Sequence, residues 1–181
     1  APGCRCSFDV SSKEVVVDCM DSGINSFNST IPQVRNQTSS ISLLMRRNEI
    51  KALKRLFEGV NQDTLGKIRL LDLSENKISK IDPSSLPQNL SYLYLNKNTL
   101  SGITKEVIEY FKTIIKVNVK LGGNKFSCAC SSKELIKFLK TEYLKVEDRD
   151  NVTFDCNPSF PFSDIGNETE DRVCSKSDLW R

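Results

Sequence analysis

One pattern, L-x-x-L-x-L-x-x-N-x-L with other apolar residues admitted at the leucine positions, constrains this chain more than any other feature. Ile68, Leu71, Leu73, Asn76 and Ile78 fill it once and are followed by Ile81; Leu90, Leu93, Leu95, Asn98 and Leu100 fill it again in the same phase and are followed by Ile103. A weaker copy precedes them (Ser40, Leu43, Met45, Asn48, Ile50, then Leu53) and another follows (Lys116, Val119, Leu121, Asn124, Phe126). From Asn48 to Asn76, Asn98 and Asn124 the steps are 28, 22 and 26 residues. Unrelated apolar strands would not supply four asparagines in phase, whereas stacked copies of one supersecondary unit do.

These spacings fit the leucine-rich repeat, so the expected class is α/β: a leucine-rich-repeat solenoid with a short, curved parallel sheet. The L-x-L core of each unit is a strand whose alternate side chains point inward. Asn48, Asn76, Asn98 and Asn124 are expected to form a buried ladder, each amide donating to and accepting from backbone groups of neighbouring coils. A satisfied bond of this kind is worth about 1 kcal/mol net, and a lost one leaves buried groups unpaired at about 1–3 kcal/mol. The outer segments 53–65 and 104–113 suit short helices or turns, with Val107, Ile108 and Phe111 at helical spacing. Pro83 and Pro87 bracket a tighter connection in the shortest repeat.

A solenoid exposes its core at both ends, and the seven cysteines fall where caps are required: Cys4, Cys6 and Cys19 at the start, Cys128, Cys130, Cys156 and Cys174 at the end. The expected division is an N-terminal cap over 1–39, repeats over 40–123 and a C-terminal cap over 124–181. Acceptor sequons for N-linked glycans stand at Asn28, Asn36, Asn89, Asn151 and Asn167. With clustered cysteines they point to the secretory route and to disulfides. Zinc is disfavoured, because its sites use C-x2-4-C with a second compact pair, and the chain has no histidine.

The charge excludes other classes. Lys plus Arg total 26 against 23 for Asp plus Glu, a net charge of +3 that is too small and evenly spread to demand nucleic acid or lipid. The densest basic stretch, Arg46 to Arg55, contains Glu49 and reads as an ordinary solvated surface before a partner-facing patch. No apolar run reaches the roughly 18–20 residues that cross a bilayer, and the start Ala1-Pro2-Gly3-Cys4 has no signal-peptide pattern, so the chain reads as a mature or excised soluble piece. No nucleophile motif, phosphate loop or histidine suggests catalysis. The expectation is a binding module, with no catalytic, metal or cofactor residues and no small-molecule substrate.

Both ends resemble the cysteine caps of leucine-rich-repeat proteins. The N-terminal cap of that superfamily carries C-x3-C-x-C and a later fourth cysteine, paired first with third and second with fourth. In this chain the apolar strand Val15-Val16-Val17-Asp18-Cys19 could pair antiparallel or edge-on with the first repeat. By position, Cys4, Cys6 and Cys19 match the second, third and fourth. The resemblance therefore pairs Cys4 with Cys19 and leaves Cys6 unpaired, either because the chain was cut just after the first cysteine or because Cys6 bonds another molecule. The run Cys128-Ala129-Cys130, with the helical pattern Leu135, Ile136, Phe138, Leu139, resembles the C-terminal cap, implying Cys128–Cys156 and Cys130–Cys174. Lys125 and Phe126 stand where that cap usually has Pro and Trp.

The whole chain resembles the membrane-proximal module of arthropod Toll receptor ectodomains. The match is carried by the Cys6 to Cys19 run with Val15-Val16-Val17-Asp18, by Ser84-Ser85-Leu86-Pro87-Gln88-Asn89-Leu90-Ser91, and by the insertion Val107 to Asn118 before Val119-Lys120-Leu121-Gly122-Gly123-Asn124, with the Cys128 to Cys174 cap. The resemblance implies an extracellular, juxtamembrane part of a single-pass signalling receptor for immunity or development. It further implies that the module positions a second receptor copy, with a Spätzle-type cystine-knot cytokine bound mainly elsewhere in the receptor. An adhesion or matrix leucine-rich-repeat protein is the alternative. Strand positions facing away from the core, Ser42, Leu44, Arg46, Leu70, Asp72, Ser74, Tyr92, Tyr94, Asn96, Asn118, Lys120 and Gly122, form the expected concave face. Leu44, Arg46, Asp72, Tyr92, Tyr94 and Lys120 are its candidate contacts. Tyr92 and Tyr94 are either its anchors or simply a cover for the sheet.

Overall fold

The computed structural model describes residues 3–24, 40–54, 56–113, 118–142, 145–155 and 159–165. The chain starts as a hairpin in which β1 (Arg5–Asp9) runs antiparallel to β2 (Glu14–Asp18). The Asp9 carboxylate closes its turn by accepting from the Ser11 amide at 2.8 Å and hydroxyl at 2.7 Å. β2 pairs with the first repeat strand, β3 (Ser40–Leu44), in parallel, Val17 opposite Leu43. The sequence suggested an antiparallel or edge-on contact here. Parallel pairing instead lets Val17 and Cys19 stack on Leu43 and Met45, all four fully buried, as one more coil of the core.

The repeats follow as α1 (Gln62–Lys67), β4 (Ile68–Asp72), a 3-10 turn at Pro83–Ser85, β5 (Tyr92–Tyr94), α2 (Lys105–Thr113) and β6 (Asn118–Lys120). Asn61 caps α1 by accepting from the Thr64 amide at 2.7 Å, satisfying an otherwise orphaned donor. The six strands form one sheet in chain order, parallel from β2 onward, with a register shift between Ile41 and Ser42. Inward residues stack down its axis: Leu43, Leu71, Leu93 and Val119 on one level and Met45, Leu73, Leu95 and Leu121 on the next, all with no exposed surface.

The C-terminal part covers the last coil. β7 (Lys125–Ser127), α3 (Lys133–Thr141), β8 (Thr153–Asp155) and β9 (Phe160–Pro161) follow, and β7, β8 and β9 form a second sheet. Leu135, Ile136, Phe138 and Leu139 of α3 are buried, with the Phe138 ring 5.9 Å from Phe111 of α2. Phe126 is fully buried 6.1 Å from Phe154, so an aromatic still plugs the end of the core. An isolated parallel bridge sets Val146 beside Val119, and the Asp148 carboxylate accepts from the Leu121 and Gly122 amides at 2.7 and 2.8 Å. The cap thereby occupies the sheet edge that a further repeat would take. Among the described residues no helix is long and apolar enough to cross a membrane.

Candidate protein-binding face

The asparagines fix the geometry of this face, because each turns the chain just after a strand. Asn98 donates to the Leu73 and Leu95 carbonyls at 2.9 and 3.0 Å and accepts from the Ile78 amide at 2.9 Å. Asn76 donates to Met45 and Leu73 and accepts from Ile50. Asn48 donates to Cys19 and Met45 and accepts from Ser22 and Ile24. Asn124 donates to Leu95 and Leu121 and accepts from Asn98 and Leu100. The residue before each of these asparagines has positive φ: 55° at Arg47, Glu75 and Lys97, and 70° at Gly123.

This turn sends side chains from Glu75 and Lys97 back over the strand ends. Arg46 donates to Glu75 through Nε at 2.9 Å, and Lys97 Nζ lies 3.5 Å from the same carboxylate oxygen. Chiefly through the Arg46 hydrogen bond, the Glu75 carboxyl is held below its ordinary range. Neither Glu75 nor Lys97 was expected on this face. Their place immediately before a ladder asparagine is the signal that identifies them.

Across the strands the register sets Leu44, Asp72, Tyr94 and Lys120 in one row, and Ser42, Leu70, Tyr92 and Asn118 in the next. Lys120 Nζ lies 4.2 Å from the Tyr94 ring centroid and 3.3 Å from Glu147, an acid of the C-terminal cap that the repeat pattern does not reveal. Burial, and then the Glu147 charge, push the Tyr94 phenol above its ordinary pKa. Tyr92 meets Tyr94 edge-on at 6.3 Å and is 39% exposed, the most open large side chain of these two rows. Asp72 is half-buried and accepts from the Ser74 amide and hydroxyl at 2.9 and 2.6 Å. Ser42, Ser74 and Gly122, expected to face a partner, are buried: Ser42 donates to Glu14, and Gly122 lies under the cap residues Asp148 and Asn151. What remains accessible is a tyrosine pair flanked by an apolar residue, a half-buried acid and a fixed lysine.

Of the remaining expected sites, Cys4 and Cys19 form a disulfide and Cys6 is free and exposed on β1. Cys128 and Cys130 are both disulfide-bonded, whereas Cys156 and Cys174 lie outside the described residues. Asn89 and Asn151 are exposed; Asn28, Asn36 and Asn167 lie outside the described residues.

A parallel sheet stacked through an asparagine ladder, closed by a disulfide-bonded hairpin and a helical cap, defines a leucine-rich-repeat module, a non-enzymatic class. The Leucine Rich Repeat family model matches residues 67–88, the span that contains the first full copy of the pattern. Protein toll of Drosophila melanogaster is 26% identical over 151 residues, covering 83% of this chain and 13% of that protein. Lumican of Coturnix japonica is 35% identical over 72 residues, 39% of this chain and 19% of that protein. A solved structure of the Toll-Spatzle complex in its glycosylated form, described as a molecular hub in Drosophila development and innate immunity, superposes with a TM-score of 0.77. It is 21% identical and covers 92% of this chain and 21% of its own. The chain is thus a leucine-rich-repeat module with homology to Toll, spanning about an eighth of that relative's length.

Proposed function

We propose that this chain is the extracellular, juxtamembrane protein-binding module of a Toll-type signalling receptor in innate immunity or development. In this reading it positions two receptor copies when a Spätzle-type cystine-knot cytokine binds, chiefly through another part of the ectodomain. The observation that carries it is the accessible Tyr92–Tyr94 pair with Lys120 fixed over the second ring, in a chain whose sequence aligns with Toll over most of its length. Exposed aromatics beside a fixed cation concentrate binding energy in a small area. Leu44, Asp72 and Arg46 complete the contact face.

The module divides into the cap 1–39, the repeats 40–123 and the cap 124–181, with Cys128–Cys156 and Cys130–Cys174 closing the last. N-linked glycans at Asn28, Asn36, Asn89, Asn151 and Asn167 are its expected decoration. A matrix or adhesion leucine-rich-repeat protein is the second reading. A membrane helix and an intracellular signalling domain encoded after Arg181 separate the two readings.

The test uses the complete ectodomain that contains this module. With Tyr92→Ala and Tyr94→Ala together, cytokine affinity stays unchanged while cytokine-driven dimerisation, read by sedimentation velocity, is lost. Dimers that form as in the unaltered ectodomain would overturn the proposal.

A further inference from the structure

The repeat that ends at Asn98 is shorter than its neighbours, and the outer face of the solenoid shows the consequence. The repeat before it carries α1 on its outer side, and the one after it carries α2. Between Asn76 and Asn98 only the 3-10 turn Pro83–Ser85 occupies that layer. The thin spot leaves a cleft of about 430 Å³, walled by 57–66 on one side and 84–89 on the other. Its size falls within the roughly 300–1,000 Å³ typical of clefts that hold small molecules. Phe57 and Leu86 form a nearly buried apolar floor, and Lys54, Gln62 and Ser84 supply polar groups around it.

Asn89, the acceptor of the Asn89-Leu90-Ser91 sequon, stands in the wall of this cleft. Its Nδ2 donates to the Gly66 carbonyl at 2.9 Å, which orients the amide across the cleft. Gly66 has no side chain to fill the space beneath; a Cβ there would lie 3.7 Å from that nitrogen. The cleft wall is braced from outside, because Tyr110 of α2 donates its hydroxyl to the Pro87 carbonyl at 2.6 Å. Attachment of a glycan replaces one Nδ2 hydrogen with C1 of N-acetylglucosamine, and the other hydrogen continues to donate to Gly66.

We infer that the Asn89 glycan is a structural part of the module: its first N-acetylglucosamine residue seats in the 57–66 and 84–89 cleft and supplies the outer layer that the short repeat lacks. A sugar residue suits such a site, since its ring faces are apolar and its hydroxyl and acetamide groups are polar. The inference rests on the secretory reading of the sequons.

The test is hydrogen exchange on the protein secreted from eukaryotic cells, with glycopeptide mass spectrometry reporting occupancy at each sequon. Peptides within 57–66 and 84–89 are expected to exchange about threefold or more slowly in the glycosylated protein than in Ser91→Ala, which abolishes the sequon and keeps the Asn89 amide. Trimming the glycan enzymatically to its first sugar is expected to preserve the protection, and this arm needs no variant. Equal exchange rates with Asn89 occupied would overturn the inference. So would an unmodified Asn89 beside an occupied Asn151, which leaves the secretory reading standing. If every sequon is unmodified, both fall.

Discussion

Asn76 and Asn98 donate to the same carbonyl, that of Leu73, at 3.0 and 2.9 Å. The sharing recurs at Met45, which accepts from Asn48 and Asn76, and at Leu95, which accepts from Asn98 and Asn124. Each carbonyl therefore uses both lone pairs on consecutive rungs, and the four asparagines form one connected chain through the buried interior. Polar groups linked in this way support one another more than isolated bonds do.

Removing one rung should therefore cost more than one average hydrogen bond. Asn98→Ala strips a donor from Leu73 and Leu95 and leaves the Ile78 amide unpaired, with an expected loss of about 2–4 kcal/mol in urea unfolding. Asn76→Ala should be similarly severe. Because both rungs meet at Leu73, the double variant should lose less than the sum of the singles, with a coupling of about 0.5 kcal/mol or more. Strict additivity would show that the shared carbonyl carries no coupling.

The C-terminal cap depends on a position where no side chain fits. A Cβ on Gly122 would stand 2.7 Å from the Asn151 Cβ, 2.8 Å from Asp148 Oδ2 and 3.2 Å from the Asn151 carbonyl oxygen. Gly122→Ala must push the 148–151 turn away and stretch the Asp148 bonds to the Leu121 and Gly122 amides. The expected destabilisation is about 1–3 kcal/mol, with faster limited proteolysis confined to the cap. Gly102→Ala is the control, since nothing lies within 4 Å of a Cβ there.

Much of this was legible because a period-two apolar alternation tied to a fixed asparagine reports strand, inward face and turn together. It located β3 to β6, their levels in the core and all four rungs. β1 carried no such signal: its five residues, Arg5 to Asp9, are all exposed, so its pairing with β2 depends on register and not on burial. The second sheet was equally silent, since β7, β8 and β9 are two or three residues long. On the binding face, Glu147 is held by the bridge between Val119 and Val146, a long-range contact that repeat periodicity does not encode. Ser42 and Gly122 were read as facing a partner. They are buried because the caps at either end supply Glu14, Asp148 and Asn151 to cover them.

The two cysteine types at the N-terminal cap should separate cleanly. The Cys4–Cys19 disulfide spans a sequence separation of 15 and ties the residue before β1 to the residue after β2. Replacing both residues with serine is expected to cost about 3 kcal/mol by the chain-entropy model. Cys6 is exposed on β1, so Cys6→Ser should leave the melting temperature unchanged and remove any dimer that a reductant dissolves, as read by sedimentation with and without reductant. A reducible dimer that persists in Cys6→Ser would identify another bridging cysteine.

Alkaline pH offers a test of the brace between α2 and the short repeat. Tyr110 is partly buried with its hydroxyl donated to Pro87, and that burial pushes the phenol well above its ordinary pKa of about 10. Because the folded state holds this proton more tightly than the unfolded chain, the contribution is fully present below about pH 10 and declines as pH rises further. The unfolding midpoint should therefore fall from about pH 10 upward, before the folded phenol itself ionises. Tyr110→Phe loses the bond, about 1 kcal/mol, and with it the part of the alkaline slope that belongs to this residue. The two stability curves should converge as the pH climbs. Parallel curves across that range would mean that Tyr110 ionises as readily folded as unfolded, and that the hydroxyl does not brace the repeat.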